Sequence, residues 1–337
     1  MNFCKKKILI LGKKPLPIGG VTIHVNRLTA LLDKVGQEYS FYDLKGFRIL
    51  SFLRVIGTVD YAHLHSSSPL LRLLFAVICR FCNTKSMITY HGDLGRFSSF
   101  YNFIDYMSVK VVNIPILINK QSFNKAIRYN KNSVCISAYI PEVCQEKLDV
   151  SVENKINELR QRVSFIVCTN ASNFTLDKDG NEIYGIKLLV DLFRKYPDWG
   201  FIISDPSGSY SKLLGELEPN ICVIRGTHSF IPVLETSDCF IRYTSTDGDS
   251  LSIHEALDCG IYVIATDVVT RPENVSLVTR GNTDQLISLL YHFQQERLKQ
   301  KRSVRNIYDT DILKLYRKLF SYNTPICLRY CLLVLQV

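Results

Sequence analysis

The first half of the chain alternates short apolar runs with stretches of helical periodicity. The run KILIL at 7–11 has the length of a buried parallel strand. Val21, Val25, Leu28 and Leu32 then recur at the spacing of one helix face. Strands separated by helices imply parallel order with right-handed crossovers. The other elements predicted here are strands over 39–44, 61–65, 86–90, 111–118 and 133–137 and a helix over 69–81.

The same pattern restarts after a charged stretch at 142–162, which lacks strand character and is interpreted as an interdomain connection. Predicted strands follow at 164–168, 200–204, 221–224, 239–243 and 262–266, with helices at 186–196, 250–259, 284–295 and 309–320. We therefore predict an α/β protein of two doubly wound, Rossmann-like domains. The expected division is an N-terminal domain at 1–150, a C-terminal domain at 151–307, a terminal helix at 308–321 returning toward the N-terminal domain, and a tail at 322–337.

Composition fits two domains with apolar cores, since 47% of the 337 residues are hydrophobic. The 11 cysteines are an odd number and the first apolar run is too short for a signal peptide, so we expect free thiols in a reducing cytoplasm. Cys79 and Cys82 form a C-x-x-C pair without a second pair, and a buried helix face is preferred over zinc or redox chemistry.

The net charge of +10 is concentrated in one half of the chain. Residues 1–162 carry 23 Lys/Arg and 11 Asp/Glu, whereas residues 163–337 carry 18 and 20. A basic half suits anionic lipid head groups, a diphosphate-linked acceptor or nucleic acid, and the lack of a nucleic-acid motif disfavours the last. Because no apolar stretch reaches the roughly 20 residues of a membrane span, we expect at most peripheral contact with a membrane. The apolar segment 322–337 is interpreted as an ill-ordered tail, with a membrane-surface anchor as the alternative.

Unusual residues follow the predicted strands, where open α/β sheets bind ligands. Gly19 and Gly20 precede a helix and would let the backbone approach a phosphate, although a tight turn explains them equally well. His63 and His65 alternate on a strand and so share one face, and His91 ends the next strand. Metal binding by these three histidines stays an alternative, with few carboxylates nearby.

The richest segment runs from Cys239 to Glu273. The strand CFIRYT leads to STDGDS and then to the helix SIHEALDCG, for which Asp249 or Ser250 is a natural N-cap. The first amides of such a helix suit a diphosphate. Asp247 precedes the helix and Glu255 lies one turn into it on the inward side, so a sugar nucleotide could span the two. The donor-binding residues predicted in this segment are Gly248, Asp249, Ser250, Leu251, Ser252 and Glu255.

This segment resembles the signature of family 4 retaining glycosyltransferases, which have the GT-B fold. Their pattern is a Glu, seven residues, a second Glu, Ala, a small residue and Gly, then an apolar strand and a Pro-Glu. Here the pattern reads Asp247, then Glu255-Ala256, Gly260, YVIAT and Arg271-Pro272-Glu273, with Asp in place of the first Glu. Looser matches cover most of residues 8–295, at Gly19-Gly20-Val21 with His24, His63-x-His65, His91-Gly92 and Tyr184-Gly185, where the family usually has Lys-Gly.

The resemblance implies two Rossmann-like domains facing a central cleft, a nucleotide-diphosphate sugar as co-substrate, and neither a metal nor another cofactor. Glu255 would bind the donor ribose, and Asp247 would lie near the transferred sugar or the reacting centre. The amides of Ser250 and Leu251 would hold the diphosphate, whose charge helix amides and a basic side chain stabilise.

The same resemblance assigns roles outside this segment. Gly19 and Gly20 would let the N-terminal domain close over the diphosphate, and His91 would contact the sugar as a catalytic residue. The basic residues of the family are replaced, since Asn170 and Tyr184 stand near their places. The predicted substitutes for these basic residues are Arg242 and Lys187. Both are assigned to donor binding, together with Asn170, Tyr184 and Gly185.

Two D-x-D triplets, Asp247-Gly248-Asp249 and Asp177-Lys178-Asp179, match a motif that holds a divalent metal in other glycosyltransferases. The match is short, and helix capping by Asp249 is the preferred interpretation.

These features predict a retaining glycosyltransferase that moves a hexose or N-acetylhexosamine from a nucleotide-diphosphate sugar to a lipid-linked or other glycan acceptor. Such an enzyme would be cytoplasmic, or peripheral on the inner face of the cell membrane, in bacterial lipopolysaccharide or capsule assembly. The alternatives are a sugar-nucleotide epimerase of GT-B-like fold and a degenerate, non-catalytic partner protein.

Overall fold

A computed structural model describes residues 7–15, 19–46, 48–142, 147–177, 179–296 and 310–321. The chain forms two compact units. Of the described residues, the first unit contains 7–15, 21–142 and 310–321, and the second contains 19–20, 147–177 and 179–296. The apolar segment 322–337 lies outside the described residues. No helix in the described ranges combines the length and apolar character that crossing a membrane requires.

The first unit contains a six-stranded sheet in the order β2-β1-β3-β4-β5-β6, in which neighbouring strands are parallel. Its strands are β1 (Ile8–Gly12), β2 (Tyr39–Asp43), β3 (Tyr61–His65), β4 (Lys85–Tyr90), β5 (Ile114–Leu117) and β6 (Val134–Cys135). Its helices are α1 (Gly20–Val35), α2 (Ile49–Ile56), α3 (Pro69–Phe81), α4 (Ser99–Val111) and α5 (Lys120–Ala126), with a 3-10 turn at Leu44–Gly46.

The terminal helix α12 (Asp311–Ser321) also belongs to the first unit. Its apolar residues Ile312, Tyr316 and Phe320 are buried in one cluster with Ile8 and Ile10 of β1. Spacing of three to four residues places these side chains on one face of α12, which explains why a helix with a polar opposite face packs there.

The second unit repeats the architecture with the order β12-β11-β10-β7-β8-β9, again with parallel neighbours. The strands are β7 (Phe165–Asn170), β8 (Trp199–Asp205), β9 (Ile221–Arg225), β10 (Cys239–Arg242), β11 (Tyr262–Thr266) and β12 (Ser276–Val278). The helices are α6 (Val150–Arg162), α7 (Ile186–Arg194), α8 (Ser209–Leu213), α9 (Ile231–Glu235), α10 (Leu251–Cys259) and α11 (Thr283–Glu296).

Each sheet reverses its strand order at one point. In the first unit this switch lies between β1 and β3, and in the second it lies between β7 and β10. Helices leave such adjacent strands toward opposite faces of the sheet, which opens a crevice at the carboxyl ends of the two strands. The prediction of two Rossmann-like doubly wound units is confirmed, and the switch points mark where each unit offers a ligand site.

The structure corrects two sequence-based predictions and agrees with a third. Val111 ends α4 instead of starting a strand, and β5 begins at Ile114. The stretch interpreted as a connection contains α6, whose Ile156 and Leu159 are buried in the second unit. A single narrow apolar stripe is enough to dock this otherwise charged helix. Cys79 is buried on α3 and Cys82 directly follows this helix, and both are free thiols, as the helix-face interpretation requires.

Candidate functional site

The guanidinium of Arg242 lies at the switch point of the second unit. Arg242 is the last residue of β10, and Asn170 is the last residue of β7. The Nη1 atom of Arg242 lies 3.4 Å from the Asn170 side-chain oxygen, so the two switch-point strands are joined at their carboxyl ends. The ring of Tyr184 lies against the same guanidinium, with Cζ of Arg242 5.1 Å from the ring centroid. Three of the predicted donor-site residues therefore meet at the point where the topology opens a crevice.

Asp247 binds this arginine with both carboxylate oxygens. Nη2 and Nε of Arg242 donate to Oδ1 and Oδ2, each at 3.1 Å, in the bidentate geometry that fits a guanidinium to a carboxylate. The Gly248 N–H donates to Oδ1 at 3.0 Å, so Asp247 also fixes the turn before α10.

A second guanidinium, that of Arg271, completes the cluster. Its Nη1 donates to Oδ2 of Asp247 at 2.7 Å, and its Nε donates to the backbone oxygen of Thr266 at 3.1 Å, at the end of β11. The side chains of Arg271, Asp247 and Arg242 are 2%, 8% and 13% exposed. Arg242 is thus the arginine that presents some surface to a ligand, while Arg271 acts from behind the carboxylate.

The cluster carries a net positive charge. Burial alone would raise the pKa of Asp247, but Arg242 and Arg271 outweigh burial and lower it to about 2. The carboxylate is therefore ionised at neutral pH, and its single negative charge faces two guanidinium groups. Within the described ranges, Asp247 is the one carboxylate paired with either arginine. An excess buried cation is costly unless an anion neutralises it, so the cluster is suited to binding an anionic ligand.

Helix α10 begins beside this cluster. Its N-cap is Ser250, one of the two predicted candidates, and the Ser250 side chain makes no capping hydrogen bond. The preferred interpretation of Asp249 as the helix cap is wrong, because Asp249 precedes the N-cap. Asp249 instead lies 2.7 Å from Nε2 of His254. The first amides of a nine-residue helix such as α10 lack partners within the helix and carry partial positive charge, which adds to that of the arginines. Glu255 is buried one turn into the helix.

The Tyr184-Gly185 pair is shaped by the neighbouring strand. Gly185 is the N-cap of α7 and has a φ of +62°, in the left-handed region. A Cβ added to Gly185 would lie 2.7 Å from the Tyr243 ring and 2.8 Å from the Tyr243 backbone oxygen, so both conformation and space require glycine. The side chain of Lys187 lies over an aromatic ring instead, with its Nζ atom 5.4 Å from the centroid of the Phe174 ring.

The Asp177 triplet forms a turn. Oδ1 of Asp177 accepts the backbone N–H groups of Asp179 and Asn181, each at 2.9 Å. Lys178 lies outside the described residues. Since these hydrogen bonds already use the carboxylate locally, they explain the triplet by turn chemistry.

Gly20 begins α1, as the sequence predicts, and no atom of the described residues lies within 4 Å of where a Cβ of Gly19 or Gly20 would be. His63 and His65 do share one face of β3, with ring centroids 4.1 Å apart. Nδ1 of His65 lies 3.1 Å from Nε2 of His91, so these two predicted site residues are in contact.

The structure adds residues that sequence reasoning did not place in a site. Arg271 entered only as part of the Arg-Pro-Glu pattern, and its contact with Asp247 spans 24 positions of the chain. Tyr316 of α12 was also missed, although its hydroxyl lies 2.5 Å from Nδ1 of His63. The position of Arg271 five residues after β11, close to the strand end, was a signal for the first of these. No sequence signal pointed to the second.

Comparison with protein-family models and with curated protein sequences gives no match. The structure is similar to Alr3699/HepE from Anabaena in complex with UDP-glucose, at 15% identity and a TM-score of 0.64, covering 94% of this chain and 98% of that chain. It is similar to the lipopolysaccharide outer core galactosyltransferase WaaB, at 13% identity and a TM-score of 0.58, covering 94% and 99%. UDP-GlcNAc 2-epimerase from Methanocaldococcus jannaschii matches at 13% identity and a TM-score of 0.55, covering 94% and 100%. These likenesses confirm the GT-B fold.

Proposed function

We propose that this protein is a retaining glycosyltransferase that moves a hexose or N-acetylhexosamine from a nucleotide-diphosphate sugar to a lipid-linked or other glycan acceptor. The observation that carries the proposal is the net positive Arg242–Asp247–Arg271 cluster at the switch point of the second unit. A nucleotide diphosphate supplies the anion that such a cluster lacks. The complex of HepE with UDP-glucose and the galactosyltransferase activity of WaaB support the same class of donor.

In this proposal, Arg242 and the first amides of α10 hold the diphosphate. Breaking the bond between the sugar and the diphosphate places negative charge on the leaving phosphate, and fixed donors that face this charge lower the barrier. Arg242 replaces the family's basic residues, because Asn170 and Tyr184 stand near their places and both contact its guanidinium. The transfer itself then needs no metal. Glu255, buried on α10, binds the donor ribose.

Binding and turnover with a panel of UDP- and GDP-sugars test this proposal. The substitution Arg242→Gln is expected to weaken UDP binding at least tenfold, because it removes the cation that faces the phosphates. Arg194→Gln is the matched control, since Arg194 is a partly exposed arginine of α7 that pairs with Glu218 and Asp191 away from the cluster. Equal UDP affinity in the two variants would remove Arg242 from the donor site.

Glu255→Ala is expected to abolish donor binding or turnover, and full activity in this variant would remove Glu255 from the site. The anomeric configuration of the product, measured by NMR early in the reaction, decides between retention and inversion.

A sugar-nucleotide epimerase is the second candidate, favoured by the similarity to UDP-GlcNAc 2-epimerase. An epimerase forms an isomerised sugar nucleotide without any acceptor, whereas the proposed transferase consumes donor productively only when acceptor is present. Incubation of UDP-GlcNAc with the protein alone separates the two activities. Donor binding with neither activity, across the panel of lipid-linked acceptors, would support the third candidate, a non-catalytic partner protein.

The lipid-linked acceptor implies contact with a membrane surface, which we assign to the first unit. Helices α2, α3 and α4 each expose large apolar side chains, including Leu50, Phe81 and Phe103, and each carries a basic residue in its last turn. Exposed apolar groups beside basic residues suit an anionic membrane.

Flotation with vesicles tests this surface. The protein is expected to bind vesicles that contain phosphatidylglycerol and to bind phosphatidylcholine vesicles much less, and Leu50→Ser with Phe103→Ser should release it. Leu213→Ser, an exposed leucine of the second unit, is the control. Equal flotation with neutral and anionic vesicles, or no effect of the paired substitution, would contradict the assignment.

A further inference from the structure

Four histidines of the first unit lie in contact with one another. His24 comes from α1, His63 and His65 from β3, and His91 follows β4. The ring centroid of His65 lies 5.0 Å from that of His24 and 5.4 Å from that of His91. The ring centroids of His24 and His91 are 4.9 Å apart. His65 is the last residue of β3, so the group sits at the switch point of this sheet, where the topology places ligand sites.

Hydrogen bonds decide which of these rings have a nitrogen lone pair to offer. Nδ1 of His24 lies 2.6 Å from the backbone oxygen of Ala138. A carbonyl oxygen only accepts, so Nδ1 carries the proton and Nε2 keeps its lone pair. Such a bond is the usual way in which proteins fix the tautomer of a metal-binding histidine. His63 differs, because Tyr316 and Thr89 bind both of its ring nitrogens.

His65 and His91 share one contact. Nδ1 of His65 and Nε2 of His91 are 3.1 Å apart, so these two nitrogens face each other. Neither ring pairs with a carboxylate within the described ranges.

We propose that His24, His65 and His91 form a binding site for a transition-metal ion of the zinc class. One nitrogen from each ring lies within 4.8 Å of the others. In a tetrahedral zinc site with bonds of about 2.0–2.1 Å, ligand atoms are roughly 3.4 Å apart. Nδ1 of His65 and Nε2 of His91, at 3.1 Å, are already close to this spacing. Three neutral imidazoles without carboxylates favour zinc, cobalt, nickel or copper over magnesium or manganese, which prefer oxygen ligands.

The site is exposed to solvent on the side of His91, which is only half-buried. Nearby Arg72 is neutralised by Asp105 at 2.7 Å. The guanidinium of Arg96 occupies the space that a Cβ on Gly92 would take, next to His91. The positive charge of Arg96 favours an anion, such as hydroxide or chloride, as the fourth ligand of the metal.

Titration of the full-length, chelator-treated protein with Zn²⁺ against a chromophoric chelator tests the site without any sugar nucleotide. We expect one equivalent to bind, and His65→Asn and His91→Asn each to weaken binding at least about a hundredfold. His292→Asn is the matched control, because His292 is an exposed histidine of the second unit and should leave the affinity unchanged within about threefold. Zn²⁺ should raise the melting temperature of the unsubstituted protein and not that of the His65 variant.

Co²⁺ provides a measurement on the unsubstituted protein, which stays informative if a variant fails to fold. Tetrahedral nitrogen ligation gives strong visible bands without the near-ultraviolet thiolate band that the chain's 11 cysteines would produce. No saturable binding, a thiolate spectrum, or an affinity indifferent to His65 and His91 would overturn the proposal. Because donor binding is not measured, failure here leaves the proposed glycosyltransferase function untouched.

Discussion

Replacing Asp247 with asparagine tests whether this carboxylate is the counter-ion of two buried arginines. The substitution keeps the shape of the side chain and removes its charge. One of the two oxygens that now accept from Arg242 and Arg271 becomes an amide nitrogen, which donates and therefore opposes a guanidinium. Two cations are then left in a site whose side chains are at most 13% exposed.

The size of the effect follows from the same contacts. A pKa of about 2, compared with 3.8 in the absence of the protein, corresponds to about 2 kcal/mol of stability at neutral pH. Because the pKa of Asp247 is lower in the folded protein than in the unfolded chain, its contribution to stability is complete above the unfolded pKa. This contribution is lost as the pH falls from about 4 through 2. Leaving buried charges unpaired typically costs about 3–5 kcal/mol. We expect Asp247→Asn to destabilise the second unit by about 3 kcal/mol, which lowers its melting temperature by roughly 6–12 °C.

Thermal and urea unfolding at pH 7 measure this change. Asp191→Asn is the control, because Asp191 pairs with Arg194 at an exposed position where an ion pair contributes less than about 1 kcal/mol. Asp247→Asn should also keep or strengthen UDP binding, since it raises the net charge of the cluster. A variant as stable as the Asp191 control would refute the counter-ion role. Normal stability with lost turnover would instead place Asp247 at the reacting centre.

Three further outcomes are expected. Burial lowers the pKa of His63 to about 3, so below pH 6.5 the unfolded chain binds a proton that the folded one excludes. With a chelator present, this residue alone should cost the first unit about 1.4 kcal/mol of stability per pH unit below pH 6.5, and a flat stability profile from pH 6.5 to 4.5 would contradict this. Gly185→Ala should destabilise the second unit by about 1–3 kcal/mol, because alanine disfavours the positive φ at this position and its Cβ would overlap with Tyr243. Calorimetry measures this loss. Tyr316→Phe should cost about 1–3 kcal/mol in urea unfolding, because it leaves Nδ1 of His63 buried and unpaired.

Local sequence was enough to predict most strands of both sheets. The strands Tyr61–His65 and Tyr262–Thr266 have the predicted bounds, and most others differ by one or two residues. Strands buried on both faces must be apolar along their whole length, so the signal lies in consecutive residues. Sequence missed α2 and α4, whose exposed apolar side chains blur the alternation between a buried and a solvated face. It also missed α5, which has only seven residues.

The sequence by itself determined the doubly wound architecture, the start of α10 and the segment that carries the donor-site residues. Only the tertiary structure showed that Arg271 shares Asp247 with Arg242, and that His24 joins His65 and His91. These groupings join residues that are far apart in the chain and come from different strands and helices. Periodicity records which face of an element is buried, whereas the partner of a polar side chain depends on which strand ends the sheet topology brings together.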